Sequence, residues 1–246
     1  MSGDLCGKRI LVTGAANGIG RALARRSADG GSHLTLVDRD PAVHELASEL
    51  GALGVDIDIT EPHSAERTVA AAVAHWGGLD GLANVAGVHR SGAITQLAPD
   101  VWDLVMALNV TAPFLWARAA MPALLDGGGA IVNVGSISSV AAIPATPAYV
   151  ASKHALLGLT KSIAIDFGRR GVRANCVSPG SIETEFLTRY LCGDEAARER
   201  LVERNFAGRL GQPEEVAECC AFLLGDGATF INGENIVIDG ARTVAT

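Results

Sequence analysis

A glycine turn set between a strand and a helix constrains this chain more than any other feature. The apolar run Arg9–Thr13 has strand character and leads directly into Gly14-Ala15-Ala16-Asn17-Gly18-Ile19-Gly20, after which a helical pattern starts near Arg21. Glycines at 14, 18 and 20 let the backbone turn sharply and approach a pyrophosphate. The helix that follows presents unpaired N–H groups and the positive end of its dipole. A glycine-rich turn alone also serves as an ordinary tight turn. After a strand, and opening a helix in the first βα unit, it reads as a dinucleotide site.

Six further apolar runs follow: His33–Asp38, 53–57, 79–85, 130–134, 172–177 and Asn235–Ile238. Most are near-continuously apolar, as strands covered on both faces are. Helical stretches rich in Ala, Leu, Glu and Arg separate them, at 21–29, 64–75 and 149–167 among others. This alternation predicts a single α/β domain of Rossmann type. It would be doubly wound, with a seven-stranded, mainly parallel sheet and helices on both faces. The segment 183–211 is charged and longer than a normal connection, so it is expected to form a helical insertion or lid.

Charge and cysteine content exclude several classes. The net charge is −7 and the basic residues form no run, which argues against nucleic acid as a partner. Five cysteines, an odd number without CxxC or ligand spacing, speak against a zinc site or disulfide framework and for a reducing cytoplasm. No metal site is expected. The N-terminus lacks a signal-peptide pattern, and the apolar stretches are broken short of a membrane span, so no membrane partner is expected.

The second strand ends in Asp38, where a carboxylate can accept hydrogen bonds from both adenosine ribose hydroxyls. It also repels a 2′-phosphate: two like charges about 4 Å apart, at an effective dielectric near 20, cost roughly 4 kcal/mol before screening. Arg39 could pair with that phosphate, but the glycine turn itself carries no Lys or Arg, and NAD is favoured over NADP. Of two tyrosines in the chain, Tyr149 precedes Lys153 by one helical turn, which stacks both side chains on one helix face. A phenol is a poor base at neutral pH, and a neighbouring ammonium favours its ionised form, so the pair can exchange a proton with an alcohol or carbonyl.

With these features the chain resembles the short-chain dehydrogenase/reductase family, in its compact subgroup, from residue 8 to about 240. The resemblance rests on TGAANGIG at 13–20, Asp58 in DIT, NVAG at 84–87, Asn109 in LNV, Ser136 in VGS, YVASK at 149–153 and PGSIET at 179–184. It implies a tetrad of Asn109, Ser136, Tyr149 and Lys153. Ser136 would hold the substrate oxygen and Tyr149 would exchange its proton. Lys153 would bind the nicotinamide ribose and lower the Tyr149 pKa, and Asn109 would hold a relay water. The same resemblance assigns cofactor contacts to Gly14, Asn17, Gly18, Ile19, Gly20, Asp38 and Arg39. It adds Asp58 and Ile59 at adenine, Asn84, Ala86 and Gly87 at the ribose, and Pro179, Gly180, Ile182 and Thr184 at the carboxamide and phosphates.

The resemblance implies an oxidoreductase that moves hydride between NAD and a secondary alcohol or ketone, such as a cyclic alcohol or diol. An NADPH-dependent ketoreductase, including one acting on acyl-carrier-linked 3-oxoacyl groups, is the alternative within the class. A non-catalytic cofactor-binding regulator is the alternative outside it. Substrate choice would fall to Arg90, Ser138, Ile143, Phe186 and Tyr190, with Val88, His89, Val140, Pro144 and Glu185 nearby. The run around Arg90 is similar to that of members that oxidise a carboxylated cyclohexadiene diol, where an arginine could pair with the carboxylate. His89 is expected to face solvent. The family also implies a homotetramer, with a dimer left open. Two departures stand out: NVAG for the commoner NNAG, which removes an amide from the central strand, and the ending IDGAR for a more usual DGG.

Overall fold

The computed structural model describes residues 5–244. Seven strands form one sheet: β1 (Arg9–Thr13), β2 (His33–Asp38), β3 (Leu53–Asp56), β4 (Gly81–Asn84), β5 (Gly129–Val134), β6 (Val172–Pro179) and β7 (Asn235–Ile238). Their order is β3-β2-β1-β4-β5-β6-β7, and every pairing is parallel, so the expected sheet is present and wholly parallel. The order reverses beside β1, which opens a crevice beyond the carboxyl ends of β1 and β4, where a doubly wound sheet takes its ligand.

Continuous apolar strands follow from helices packed on both faces. On one face Leu23 of α1 (Gly18–Asp29), Leu46 of α2 (Ala42–Leu50) and Val216 of α9 (Pro213–Leu224) pack against Val12, Leu36 and Val132. On the other, Val69 of α3 (Ser64–Trp76), Trp116 of α5 (Ala112–Leu124) and Ile163 of α6 (Pro147–Phe167) pack against Leu11, Leu82 and Ile131. Between them α4 (Pro99–Met106) runs through a π-turn, Ala107–Thr111, into α5. The whole stretch Pro99–Leu124 is long and apolar enough to cross a membrane, which corrects the expectation from broken apolar runs. Its Val105, Ala112, Trp116, Ala120 and Leu124 are buried, and it serves here as a core helix.

Two details correct the sequence reading of the centre. Asn84 does not face the ribose site: it is buried, and its Nδ2 donates to Asn133 Oδ1 at 2.8 Å across β4 and β5. Asn133 Nδ2 in turn donates to Thr160 of α6 at 2.9 Å. The amide that ties the central strands together is therefore Asn84, and valine at 85 leaves that link intact. The segment 183–211 folds as two short helices, α7 (Glu185–Leu191) and α8 (Glu195–Glu203), capped by Thr184 and Asp194. Neither helix contains a buried residue, so little apolar contact holds them down.

Candidate functional site

Three elements bring the expected tetrad together at the carboxyl ends of β4 and β5. Ser136 follows β5 and caps the 3-10 turn Ile137–Ser139, its Oγ accepting from Ser138 N at 3.1 Å. Proline at the start of α6 suits the first turn of a helix, where its missing N–H has no partner to lose. Tyr149 and Lys153 follow on that helix, with Lys153 Nζ lying 5.6 Å from the centre of the Tyr149 ring. Lys153 is 4% exposed and donates to Val134 O at 2.8 Å. Asn109 sits in the π-turn, whose wider ring is closed by Ala112 N donating to Ala107 O.

The Asn109 side chain is fully engaged. Its Oδ1 accepts from Val88 N at 2.8 Å, and its Nδ2 donates to Val88 O at 2.9 Å and Ser152 Oγ at 3.0 Å. The side-chain amide thus fixes the loop after β4 onto α6. Gly87 passes through the same gap, where an added Cβ would lie 3.2 Å from Asn109 Oδ1 and 3.6 Å from Lys153 Nζ. Ser139 Oγ accepts from Ser136 N at 3.2 Å and so shapes the turn. Ser138 is 0% exposed with its hydroxyl unpartnered, so it backs the site and does not line its surface as expected.

Electrostatics here also differ from expectation. Burial raises the Tyr149 pKa above the usual phenol value, and the Ser136 hydroxyl beside it pulls only part of the way back. Burial lowers the Lys153 pKa to about 8. In the protein alone, then, desolvation outweighs any pull of Lys153 on Tyr149. A pH dependence of stability follows. Between about pH 8 and 10.5 the unfolded chain holds a proton on Lys153 that the folded protein has released, so the contribution of Lys153 to stability rises with pH. From pH 7 to 9 the gain is about 1 kcal/mol. Over the upper part of the same interval the thiols of Cys176, Cys219 and Cys220, all raised by burial, oppose it, because they ionise in the unfolded chain first. Urea unfolding at the two pH values checks this: the change in stability from pH 7 to 9 should be about 1 kcal/mol less favourable in Lys153→Met than in the native protein, and an unchanged slope in that variant would refute the assignment.

The crevice next to the tetrad fits a dinucleotide. Gly14 (φ 69°) and Gly18 (φ 52°) adopt left-handed backbone that favours glycine. A Cβ on Gly14 would lie 2.8 Å from Ala86 N and Cα, and one on Gly18 would lie 3.2 Å from Thr184, so the turn is closed in by the very loops expected at the ribose and phosphates. Ile19 packs against the core beneath the turn. The Asn17 amide reaches Glu185 at the head of α7. Asp38 stands at the end of β2 with Oδ2 accepting from Ala16 N and Oδ1 from Asp40 N, both at 3.0 Å, which aims its carboxylate at the turn.

Other expected contacts are placed less directly. Asp58 Oδ1 accepts from Thr60 N at 2.9 Å and Thr60 Oγ1 at 2.7 Å. Burial alone would raise its pKa, but those bonds and the nearby Arg39 hold it down. The side chains of Ile59 and Ile182 belong to the two core clusters. Thr184 caps α7. Pro179 ends β6, and a Cβ on Gly180 would lie 2.8 Å from Asp239 Cβ.

The mouth of the site holds a residue that sequence reasoning misjudged. His89 is half-buried, not solvent-facing, because three aromatic rings from distant segments enclose it. Its ring centre lies 4.7 Å from Tyr149, 4.8 Å from Tyr190 and 6.3 Å from Phe186. Burial and the adjacent Arg90 lower its pKa, so the ring is neutral at pH 7. Arg90 itself is exposed and donates to His89 O at 2.8 Å. Ile143 lines an apolar groove of about 490 Å³ with Ile94, Pro147, Val150 and His154. Among the described residues no cluster of His, Cys, Asp or Glu could hold a metal ion.

Comparison with known proteins agrees with this geometry. A family model described as enoyl-(acyl carrier protein) reductase matches residues 14–242. Dehydrogenase/reductase SDR family member 4 of Homo sapiens is 39% identical over 96% of this chain and 87% of its own length. An NAD-dependent glycerol dehydrogenase of Listeria innocua is 36% identical over 98% of this chain and 96% of its own. Among solved structures, a gluconate 5-dehydrogenase from Burkholderia cenocepacia in complex with NADP and tartrate superposes with a TM-score of 0.93. It is 33% identical and covers 98% of this chain and 97% of its own.

Proposed function

This chain belongs to the short-chain dehydrogenase/reductase family, whose members are oxidoreductases that use a nicotinamide cofactor, and we propose that it is an NAD-dependent dehydrogenase of secondary alcohols with Tyr149 as the proton-exchanging group. The observation that carries the reading is the convergence of Ser136, Tyr149 and a buried Lys153 beside the glycine turn.

The cofactor, when bound, supplies the acceptor or donor of hydride. The chain does the rest. Ser136 orients the substrate oxygen toward the Tyr149 phenol. Tyr149 takes the alcohol proton during oxidation and returns it during reduction. Lys153 turns from Val134 O to the ribose and places a positive charge near the phenol, which favours the phenolate once substrate and cofactor exclude water. The Asn109 side chain holds the Val88 loop and α6 in register, so that these groups keep their spacing. A non-catalytic binding protein would not need all four positions, and all four are filled here.

Asp38 supports NAD over NADP. Arg39 is exposed and lies near Asp58, where its charge is partly matched. Fluorescence titration with NADH and NADPH is the test. NADH should bind at least about 10-fold more tightly, and Asp38→Asn should narrow that ratio by a similar factor as the charge repulsion is removed. Tighter NADPH binding by the native protein would overturn the NAD assignment and favour the ketoreductase reading. Segment 183–211 is proposed to close over bound substrate, its two helices containing no buried residue. A homotetramer is supported by exposed apolar side chains on α4, α5 and α6, among them Trp102, Phe114 and Ile165, the last 81% exposed. Five unpaired cysteines support a cytoplasmic location.

A further inference from the structure

Arg242 belongs to the IDGAR ending, and nothing in the catalytic reading uses it. Ala241, in the place of a glycine, holds a left-handed φ of 69°, a conformation that a residue with a Cβ adopts only at a cost. That turn folds the chain after β7 back over the site. Gly180 N donates to Ile238 O at 2.8 Å, and Ala207 N donates to Gly240 O at 3.2 Å, so the tail is wedged between the loop after β6 and the end of segment 183–211.

In that wedge Arg242 Nη1 donates to Ser181 Oγ at 2.7 Å, and Ser181 is only 9% exposed. Arg242 is half-buried, yet among the described residues no carboxylate forms an ion pair with it. The neighbouring acid, Asp239, is engaged by Thr243 N and Oγ1, both at 2.7 Å. Arg9 and Arg26, also partly buried, are matched by Asp80 and Glu218, each at 2.7 Å, while Arg173, like Arg242, has no carboxylate ion pair and donates to a backbone carbonyl, Gly225 O, at 3.0 Å. Burial and the second cation Arg204 disfavour the charge on Arg242, and the fields of Asp239 and Tyr190 oppose them only in part. A guanidinium partly removed from water with no carboxylate bonded to it is costly, and an arriving anion would relieve that cost.

The position selects which anion. A 2′-phosphate would lie beyond β2, and Arg242 follows β7 at the far side of the sheet order. The pyrophosphate belongs to the glycine turn after β1. Arg242 instead neighbours Tyr190, which packs on His89, which packs on Tyr149. Arg90, expected from sequence to meet a substrate carboxylate, is turned onto the backbone of its own loop.

We propose that Arg242 is the anion-binding residue of the substrate pocket, and that the substrate is a secondary alcohol or ketone carrying a carboxylate. This rests on the dehydrogenase reading above and names its substrate class. A guanidinium offers a carboxylate two parallel N–H donors, which a neutral polyol cannot match.

The test uses the full chain with NAD and two matched pairs that differ only in the carboxylate, 3-hydroxybutyrate against 1,3-butanediol and gluconate against sorbitol. The native protein should favour the acid of at least one pair. Arg242→Gln should lower the acid-to-neutral ratio of kcat/KM by about 10- to 100-fold, chiefly through KM, and Arg242→Lys should restore part of it. An unchanged ratio overturns the proposal. So does an equal loss on both members of a pair, or a change of mass in solution without a change of ratio, since these mark a structural or subunit contact. A readout independent of turnover is thermal protection of the Tyr149→Phe protein by tartrate in the presence of NADH. Protection that Arg242→Gln removes upholds the anion site even if no alcohol is oxidised, and protection that survives it overturns the site.

Discussion

Tyr149→Phe is expected to bind NADH as the native protein does and to oxidise secondary alcohols about a thousand-fold more slowly. General acid–base groups contribute about 10²–10⁴ in rate, and the tetrad groups beside the phenol are not placed to replace it. Ser136 Oγ already accepts from Ser138 N, and Lys153 donates to a carbonyl, so neither can take the proton with its present partners. His89 touches the Tyr149 ring, and its neutral imidazole makes it the one rival base. The rate measured against pH separates the two. If Tyr149 is the base, the residual activity of Tyr149→Phe should not rise as His89 loses its proton. Retention of more than about a tenth of native kcat by Tyr149→Phe would reject the phenol as the proton acceptor.

The second large effect belongs to Gly20. A Cβ there would run into the carbonyl oxygen of Gly14, backbone against backbone, with no flexible side chain to move aside. Gly14 cannot retreat, because Ala86 of the next strand loop already lies against it. Gly20→Ala must therefore push α1 away from β1 and open the turn that presents its N–H groups. Overpacking of this kind costs about 1–3 kcal/mol or more. The variant should unfold at lower urea and bind NADH at least about 100-fold more weakly. Native-like NADH binding by a folded Gly20→Ala would mean that the cofactor does not rely on this turn.

The strands were legible because each is covered on both faces, which leaves an unbroken apolar run in the sequence. Their observed limits fall within two residues of those runs. Helix α1 begins at Gly18, earlier than its pattern suggested, because glycines are poor helix formers and hide the first turn. The tetrad was readable from residue types and order, but its electrostatics were not. Whether desolvation or a neighbouring charge controls Tyr149 depends on burial, which spacing does not encode. The π-turn at Asn109 has no periodic signature, and its consequence, a side chain committed to Val88, appears only in three dimensions. His89 was misjudged for a related reason. A lone histidine in a loop reads as exposed until rings from α6 and α7 are seen to enclose it. Arg242 was visible only as a departure from a pattern. Its meaning depends on the left-handed turn at Ala241 and on Ser181, which lies far from it in the chain.

Reduced nicotinamide absorbance, followed after the purified protein is mixed with NAD and a panel of secondary alcohols at mildly alkaline pH, tests the central claim most directly. NADH should form with at least one alcohol, faster than NADPH forms from NADP, and its formation should be lost in Tyr149→Phe. NADH that binds tightly while no alcohol is oxidised and no ketone reduced would contradict the claim, leaving a dinucleotide-binding fold without the chemistry assigned to its tyrosine.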